Sequence, residues 1–175
     1  MLTEPVTIKS FKPIANEDCR ILILGTMPGN QSLDQNQYYG HPDNIFWDIM
    51  IRVLLPTISE EQIEAFTYAE KENLLLQNGI ALWDVLQFCN RQGNLDSKIR
   101  NEIKNDFETF FARHKKISKI IFNGQKAEKY FDSCFRHLID EHGLTKTVLP
   151  STSSSHSLNA FKKLKQWRAA LIDRP

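Results

Sequence analysis

Residues 24–47, "LGTMPGNQSLDQNQYYGHPDNIFW", bring together turn formers, three Asn, three Gln, two adjacent tyrosines and a histidine. They follow directly on the apolar run Arg20-Ile21-Leu22-Ile23-Leu24. Side-chain amides both donate and accept hydrogen bonds, and aromatic faces stack on flat ligands, so this stretch has the chemistry of ligand handling. A second polar stretch, "STSSSHS" at 151–157, offers hydroxyls and one imidazole. Better-known chemistries are absent. "GTMPGNQS" has no Lys before Ser or Thr at the spacing of a nucleotide-binding P-loop, and no third glycine for a dinucleotide fingerprint. No GxSxG elbow occurs. The five histidines, at 41, 114, 137, 142 and 156, show no metal-ligand spacing. His114, His137 and His142 stand among charged residues and read as solvated; only His41 and His156 fall in loops at strand ends.

The elements that must hold these residues alternate. Residues 20–24 read as a buried strand running into Gly25. Asn44 to Leu54 reads as a helix, with Ile45, Ile49 and Val53 at a spacing of four. Ser59 with Gln62 has capping-box spacing and opens a helix expected to run to Asn78, stopped by Gly79. "IALW" (80–83) is a second strand, ending at Asp84. Asn105 with Glu108 repeats the capping-box spacing before "FETFFARH". "SKIIFNG" (118–124) is a third strand backed by the helix "QKAEKYFDSCFRHL", and "TKTVLP" (145–150) is a fourth. The last helix carries the stripe Leu158, Phe161, Leu164, Trp167 and Leu171, flanked by Lys162, Lys163, Lys165 and Arg168. Such alternation predicts an α/β domain with a parallel sheet, whose ligands bind outside the carboxyl ends of the strands. All four strands end in polar or loop-forming residues: Gly25-Thr26, Asp84, Asn123-Gly124 and Pro150-Ser151-Thr152. Together they define one candidate site.

The 175 residues suffice for one domain with a real core, taken as 1–175. With 41% apolar and 25% charged residues the composition is that of a globular protein. No apolar run approaches the length of a membrane span. The N-terminal "MLTEPVTIKSFKPIA" has no basic head followed by an apolar segment, so no export signal is read there and the expected location is the cytosol. Cys19, Cys89 and Cys134 are too few and too scattered for a disulfide framework, and read as reduced, mostly buried thiols. A net charge of +1 neither demands nor excludes an anionic partner.

Three stretches together resemble the uracil-DNA glycosylase superfamily, nearest to its hypoxanthine-DNA (deoxyinosine) glycosylase branch. They are "LILGTMPGNQSL…YYGHPDNIFWDIM", "GIALWDVL" with "FNGQKAEKYF", and "LPSTSSSHS…KLKQWRAAL". The usual forms in that branch are GxMPG, YY-small-HPxNxFW and LPSTSPxx. The likeness covers about residues 20–172. It implies a three-layer α/β/α domain around a four-stranded, mostly parallel sheet, hydrolysing the bond between a deaminated base and its sugar without cofactor or metal. The partner implied is single- or double-stranded DNA carrying a damaged base; no membrane contact and a monomer are expected. Uracil excision from mismatches, or a module of the same fold that binds a damaged base without cutting, are the alternatives.

Carried onto this chain, the likeness implies a base pocket floored by Gly25, Thr26, Met27 and Pro28, with Tyr39 as stacking platform and Asp84 and Asn123 as contacts to the base edge. Tyr39 packing its own loop and Asp84 capping a helix are the plainer readings. Other branches carry an acidic or amide residue where Met27 stands, and Met27 cannot place a water. That task is expected to pass to Asn44, which could equally be the cap of its helix. His156 is the second catalytic candidate, donating to the leaving base or to a nearby phosphate. Ser32, Ser151, Ser153 and Ser154 are expected to bind DNA phosphate, aided by a helix start near Ser157. The sequence reads SSH where PAH or PAN is usual. No Lys lies in these loops to attack the sugar, so the expected product is an abasic site. The residue that fills the gap left by the base is expected within 152–158.

Overall fold

Three apolar runs, residues 21–25, 80–84 and 119–123, are buried on both faces and can form only the centre of a covered sheet. The computed structural model describes residues 6–172; residues 1–5, the start of the stretch read as lacking an export signal, and 173–175 lie outside the described residues. The elements are β1 (Val6–Lys9), β2 (Ile21–Gly25), α1 (Asn30–Gln35), α2 (Phe46–Leu54), α3 (Glu60–Glu64), α4 (Tyr68–Gln77), β3 (Ile80–Asp84) and β4 (Leu86–Arg91). Then come β5 (Arg100–Lys104), α5 (Phe107–Arg113), β6 (Lys119–Asn123), α6 (Gln125–Glu141), β7 (Thr145–Leu149) and α7 (Ala160–Ile172).

The central sheet has the order β3-β2-β6-β7, and every pairing in it is parallel. Side chains alternate across it. Leu22, Leu24, Trp83, Ile120 and Phe122 pack with Phe107, Phe111 and Phe131 on one side. Ile21, Ile23, Leu82 and Ile121 pack with Phe46, Trp47, Met50 and Trp167 on the other. The helices follow from that division: α5 and α6 cover the first face, and α2, α4 and α7 the second. This is the three-layer α/β/α arrangement. After β2 the chain moves outward to β3, then crosses back to β6. The switch in direction lies between β2 and β6, where such sheets open a crevice.

The structure adds to the expected elements and corrects some. An antiparallel sheet, β1-β4-β5, was not foreseen. The single helix expected over 59–78 is two, because Thr67 and Glu70 form a second capping box behind that of Ser59 and Gln62. Asp106, rather than Asn105, caps α5, through the Thr109 N–H. Gly79 does end α4, at φ +70°. α7 begins at Ala160, with Asn159 Oδ1 accepting from the Lys162 N–H at 2.9 Å, so its positive end lies past the expected Ser157. Its buried residues are Lys163, Trp167 and Leu171, while Phe161, placed in the apolar stripe, is 77% exposed.

Candidate active site

The carboxyl ends of the four parallel strands surround a cavity of about 350 Å³, within the size range of small-ligand pockets. Gly25, Thr26, Met27 and Pro28 line it from β2, Asp84 from β3, Asn123 from β6, and Ser151 to Ser155 from the loop after β7. Tyr39 and Asn44 enter from the segment between α1 and α2. A second cavity, of about 260 Å³, lies behind that segment and shares Tyr39, His41 and Asn44 with the first.

The first wall is fixed by backbone pairing. Gly25 and Thr26 carbonyls accept from the Val85 and Leu86 N–H groups, at 2.9 and 3.1 Å. Asn105 is buried and donates its amide to the Asp84 and Leu86 carbonyls, holding the bend between β3 and β4. Arg91, also buried, donates to the carbonyls of Pro28 at 2.6 Å and Gly93 at 2.8 Å. Asn94 Oδ1 accepts from the Asn30 N–H at 2.7 Å, so the loop after β4 closes one rim of the cavity with Asn94, Leu95 and Asp96. Arg91, Asn94, Leu95 and Asp96 did not stand out in the sequence, because the unforeseen antiparallel sheet is what delivers them. Ser32 is buried and its Oγ accepts from the Gly40 N–H at 2.9 Å, so it supports the loop from inside while still lining the cavity.

Tyr38 and Tyr39 divide their work. Tyr38 is buried, with its hydroxyl on the Lys12 carbonyl and its own carbonyl taking the Trp47 indole N–H, both at 2.7 Å. Tyr39 sits at φ +53°, a conformation that costs a non-glycine residue energy and gathers at functional sites. One face of its ring stacks on Phe46, with centroids 4.1 Å apart and planes 27° from parallel. The Tyr39 hydroxyl is enclosed and makes no hydrogen bond of full geometry, with Asn123 a polar neighbour, and burial raises its pKa far above the ordinary phenol value.

Asp84 is 4% exposed and its Oδ2 is enclosed with no partner. Burial, with the negative charge of Asp96 adding and Arg91 opposing, pushes the carboxyl up to about 7. A side chain at Gly25 has no room: its Cβ would stand 2.5 Å from Asp84 Oδ1 and 2.7 Å from the Tyr39 hydroxyl. Gly25 is therefore required by close approach.

Asn44 is half-buried between the two cavities. Its Oδ1 accepts from the Phe46 N–H at 3.0 Å, so it does support the start of α2. A carbonyl oxygen has two lone pairs, and the second remains for a water. Asn123 is less available than expected, since its amide exchanges two 3.0 Å hydrogen bonds with Thr152. The Thr152 carbonyl accepts from the Ile45 N–H, which ties the end of β6, the Ser-rich loop and the approach to α2 together.

The Ser-rich loop departs from expectation at two points. His156 is exposed and does not line the cavity; its Nδ1 accepts from the Leu158 N–H at 3.2 Å. Lys163, one of the basic residues flanking the apolar stripe of the last helix, is 3% exposed and donates to the carbonyls of Ser153 at 2.9 Å and His156 at 3.3 Å. Burial lowers its pKa. Ser151 accepts from the Ser153 N–H, and the Ser153 and Ser155 hydroxyls bond each other, leaving Ser154 exposed at the tip. No group of three or more His, Cys, Asp or Glu suited to a metal occurs among the described residues.

Comparison with known proteins places these observations in context. The family description "Uracil DNA glycosylase superfamily" matches residues 12–173. A protein of Methanosarcina barkeri named "Hypoxanthine DNA glycosylase" is 32% identical over 162 residues, 93% of this chain and 96% of its own. One of the same name from Methanosarcina acetivorans is 34% identical over 161 residues, 92% of this chain and 96% of its own. A solution NMR structure of a Methanosarcina acetivorans protein, described as a uracil DNA glycosylase, superposes with a TM-score of 0.78 at 32% identity, covering 95% of this chain and 97% of that one.

Proposed function

The chain belongs to the uracil DNA glycosylase superfamily and is a DNA glycosylase, and on that premise we propose that it excises hypoxanthine from deoxyinosine in DNA, leaving an abasic site. The observation that carries the reading is the single cavity uniting Gly25 to Pro28, Tyr39, Asn44 and Asp84. The two Methanosarcina relatives named for hypoxanthine, which match over nearly their whole length, support the choice of base.

The reaction needs the nucleotide out of the helix, its base held and a water placed beneath the sugar. Tyr39, backed by Phe46, takes the face of the base; such stacking is worth about 1–3 kcal/mol. Asp84 meets the base edge. Negative charge develops on the departing base and calls for donors already in position. The N–H groups of Thr26 and Met27, at the floor of the cavity, suit that role. Asn44 directs the water through its free lone pair. Ser151, Ser153 and Ser154, with His156 beyond them, hold the phosphates on either side, a contact that positions without reading sequence. Asn123 keeps that loop in register through Thr152.

The test is a duplex panel carrying hypoxanthine, uracil or ethenoadenine, with abasic sites then cleaved by alkali. Release of hypoxanthine well above the others is expected; preference for uracil, or tight binding with no release, overturns the reading. Asn44→Ala should lower the single-turnover rate by about two orders of magnitude or more, the scale for removing a group that orients a reactant, with DNA affinity changed only a few-fold. A rate within a few-fold of wild type makes Asn44 a support for the start of α2 alone.

A further inference from the structure

Two polar atoms at the floor of the cavity, Asp84 Oδ2 and the Tyr39 hydroxyl, are enclosed and make no hydrogen bond of full geometry. They arrive from different elements and meet over Gly25, where only a hydrogen fits between them. An ionised Asp84 would be a full charge with no hydrogen bond to its enclosed oxygen, a form that a buried site strongly disfavours. The surrounding groups do not relieve it. Arg91, at the end of β4, spends Nε and Nη2 on the Gly93 and Pro28 carbonyls and forms no ion pair with Asp84 among the described residues. Asn105 reaches the main-chain carbonyl of Asp84, not the carboxyl. Asp96, on the turn after β4, adds negative charge, and Tyr38 and Tyr39, from the segment before α2, feel the same repulsion.

Resting on the hypoxanthine reading above, we propose that Asp84 recognises the base as a neutral carboxylic acid, its C=O accepting from N1–H while its O–H donates to O6. A carboxylate could make only the first of these bonds and would repel O6. The acid presents one donor and one acceptor side by side, as an amide does, and so matches the lactam edge of hypoxanthine. No bond of the acid is made or broken, and its proton stays on Asp84 throughout. As the base departs, its new negative charge spreads onto O6, so the O–H···O6 bond strengthens as the glycosidic bond lengthens. Asp84 thereby contributes to the rate as well as to recognition. The upward shift of its carboxyl to about 7 places the change of form within reach of experiment.

Single-turnover excision of hypoxanthine at saturating protein, from about pH 5.5 to about pH 9, tests the proposal. Wild type is expected to lose about tenfold in rate per pH unit above a midpoint near 7. Asp84→Asn keeps a donor and an acceptor at all pH values, so its profile should be level across that range whatever its absolute rate. A wild-type profile that is level or rises with pH overturns the proposal, as does a fall that persists at the same midpoint in Asp84→Asn. Titration of the wild-type Asp84 carboxyl carbon by NMR needs no variant; a midpoint below about 5, the ordinary carboxylate range, also overturns it. Absence of hypoxanthine release by wild type at every pH overturns instead the choice of base on which the proposal rests.

Discussion

At the scale of single residues the site depends on what is missing as much as on what is present. Gly25 makes room for two side chains that converge on the same point, Asp84 and Tyr39. Gly25→Ala puts a methyl group into both and must displace at least one of them. The fold should tolerate this at about 1–3 kcal/mol, the usual cost of an overpacked methyl. Excision should suffer far more, because the base-reading carboxyl and the stacking ring both lose their places. Thermal melting together with single-turnover kinetics measures the two effects; an active Gly25→Ala protein would show that the convergence is incidental. Asn44 presents the opposite case, a residue with two duties. Its bond from the Phe46 N–H, made from the position before the N-cap Ile45, is worth about 1 kcal/mol. Asn44→Ala loses both bond and oxygen, whereas Asn44→Asp keeps both. Asn44→Asp should therefore recover melting temperature and much of the excision rate together.

At the scale of elements, the loop after β7 is held from below by α7. Lys163 reaches up from the buried side of that helix to the Ser153 and His156 carbonyls, and the Trp167 indole N–H holds the Pro150 carbonyl at 3.0 Å. Lys163→Met fills similar space without donors. It should leave the fold largely intact but loosen the loop, weakening DNA binding about tenfold, the scale of a lost charge-assisted hydrogen bond, with a smaller effect on the rate at saturation. Fluorescence binding and single-turnover rates separate these quantities; unchanged affinity would mean that the loop holds itself. The sequence conveyed the four parallel strands and the cavity at their ends because both are local signals: apolar runs, then polar residues. It did not convey β1, β4 and β5. β5 is polar and exposed, and bulges in the β4–β5 pairing break the two-residue alternation. Asn94, Asp96 and Arg91 were lost with them. The role of Lys163 was not legible either, because a lysine on an amphipathic helix usually faces water and its carbonyl partners lie in another segment. Ser32 and Asn123 do line the cavity, but their hydrogen-bond partners, the Gly40 N–H and Thr152, come from the folded geometry and are invisible in one dimension.

At the scale of the whole molecule the site is carried at a thermodynamic cost. The Asp84 carboxyl sits at about 7 in the folded protein against 3.8 when unperturbed. Below about pH 4 both states hold the proton and nothing is lost. As pH rises from about 4 to about 7 the unfolded chain releases its proton first, so folding stability falls; above that the loss is constant. Its size is on the order of 4 kcal/mol, at 1.36 kcal/mol per pH unit. Asp84→Asn, which has no proton to lose, should therefore be the more stable protein at pH 8 and lose that advantage toward pH 4. Chemical denaturation at the two pH values measures this, and equal stabilities at both would remove the burial cost from the account.

The order β3-β2-β6-β7 also has a consequence in time. The cavity takes its walls from residue 25 through residue 155, and the loop that closes it is clasped by a helix that ends at Ile172. A ribosome delivers the chain from its N-terminus, at about 5–20 residues per second. Through most of that synthesis the nascent protein has a base floor, a tyrosine and an asparagine, but no opposite wall. A complete base pocket is thus expected only with the final helix, and fragments from an interrupted translation should release no bases from the genome.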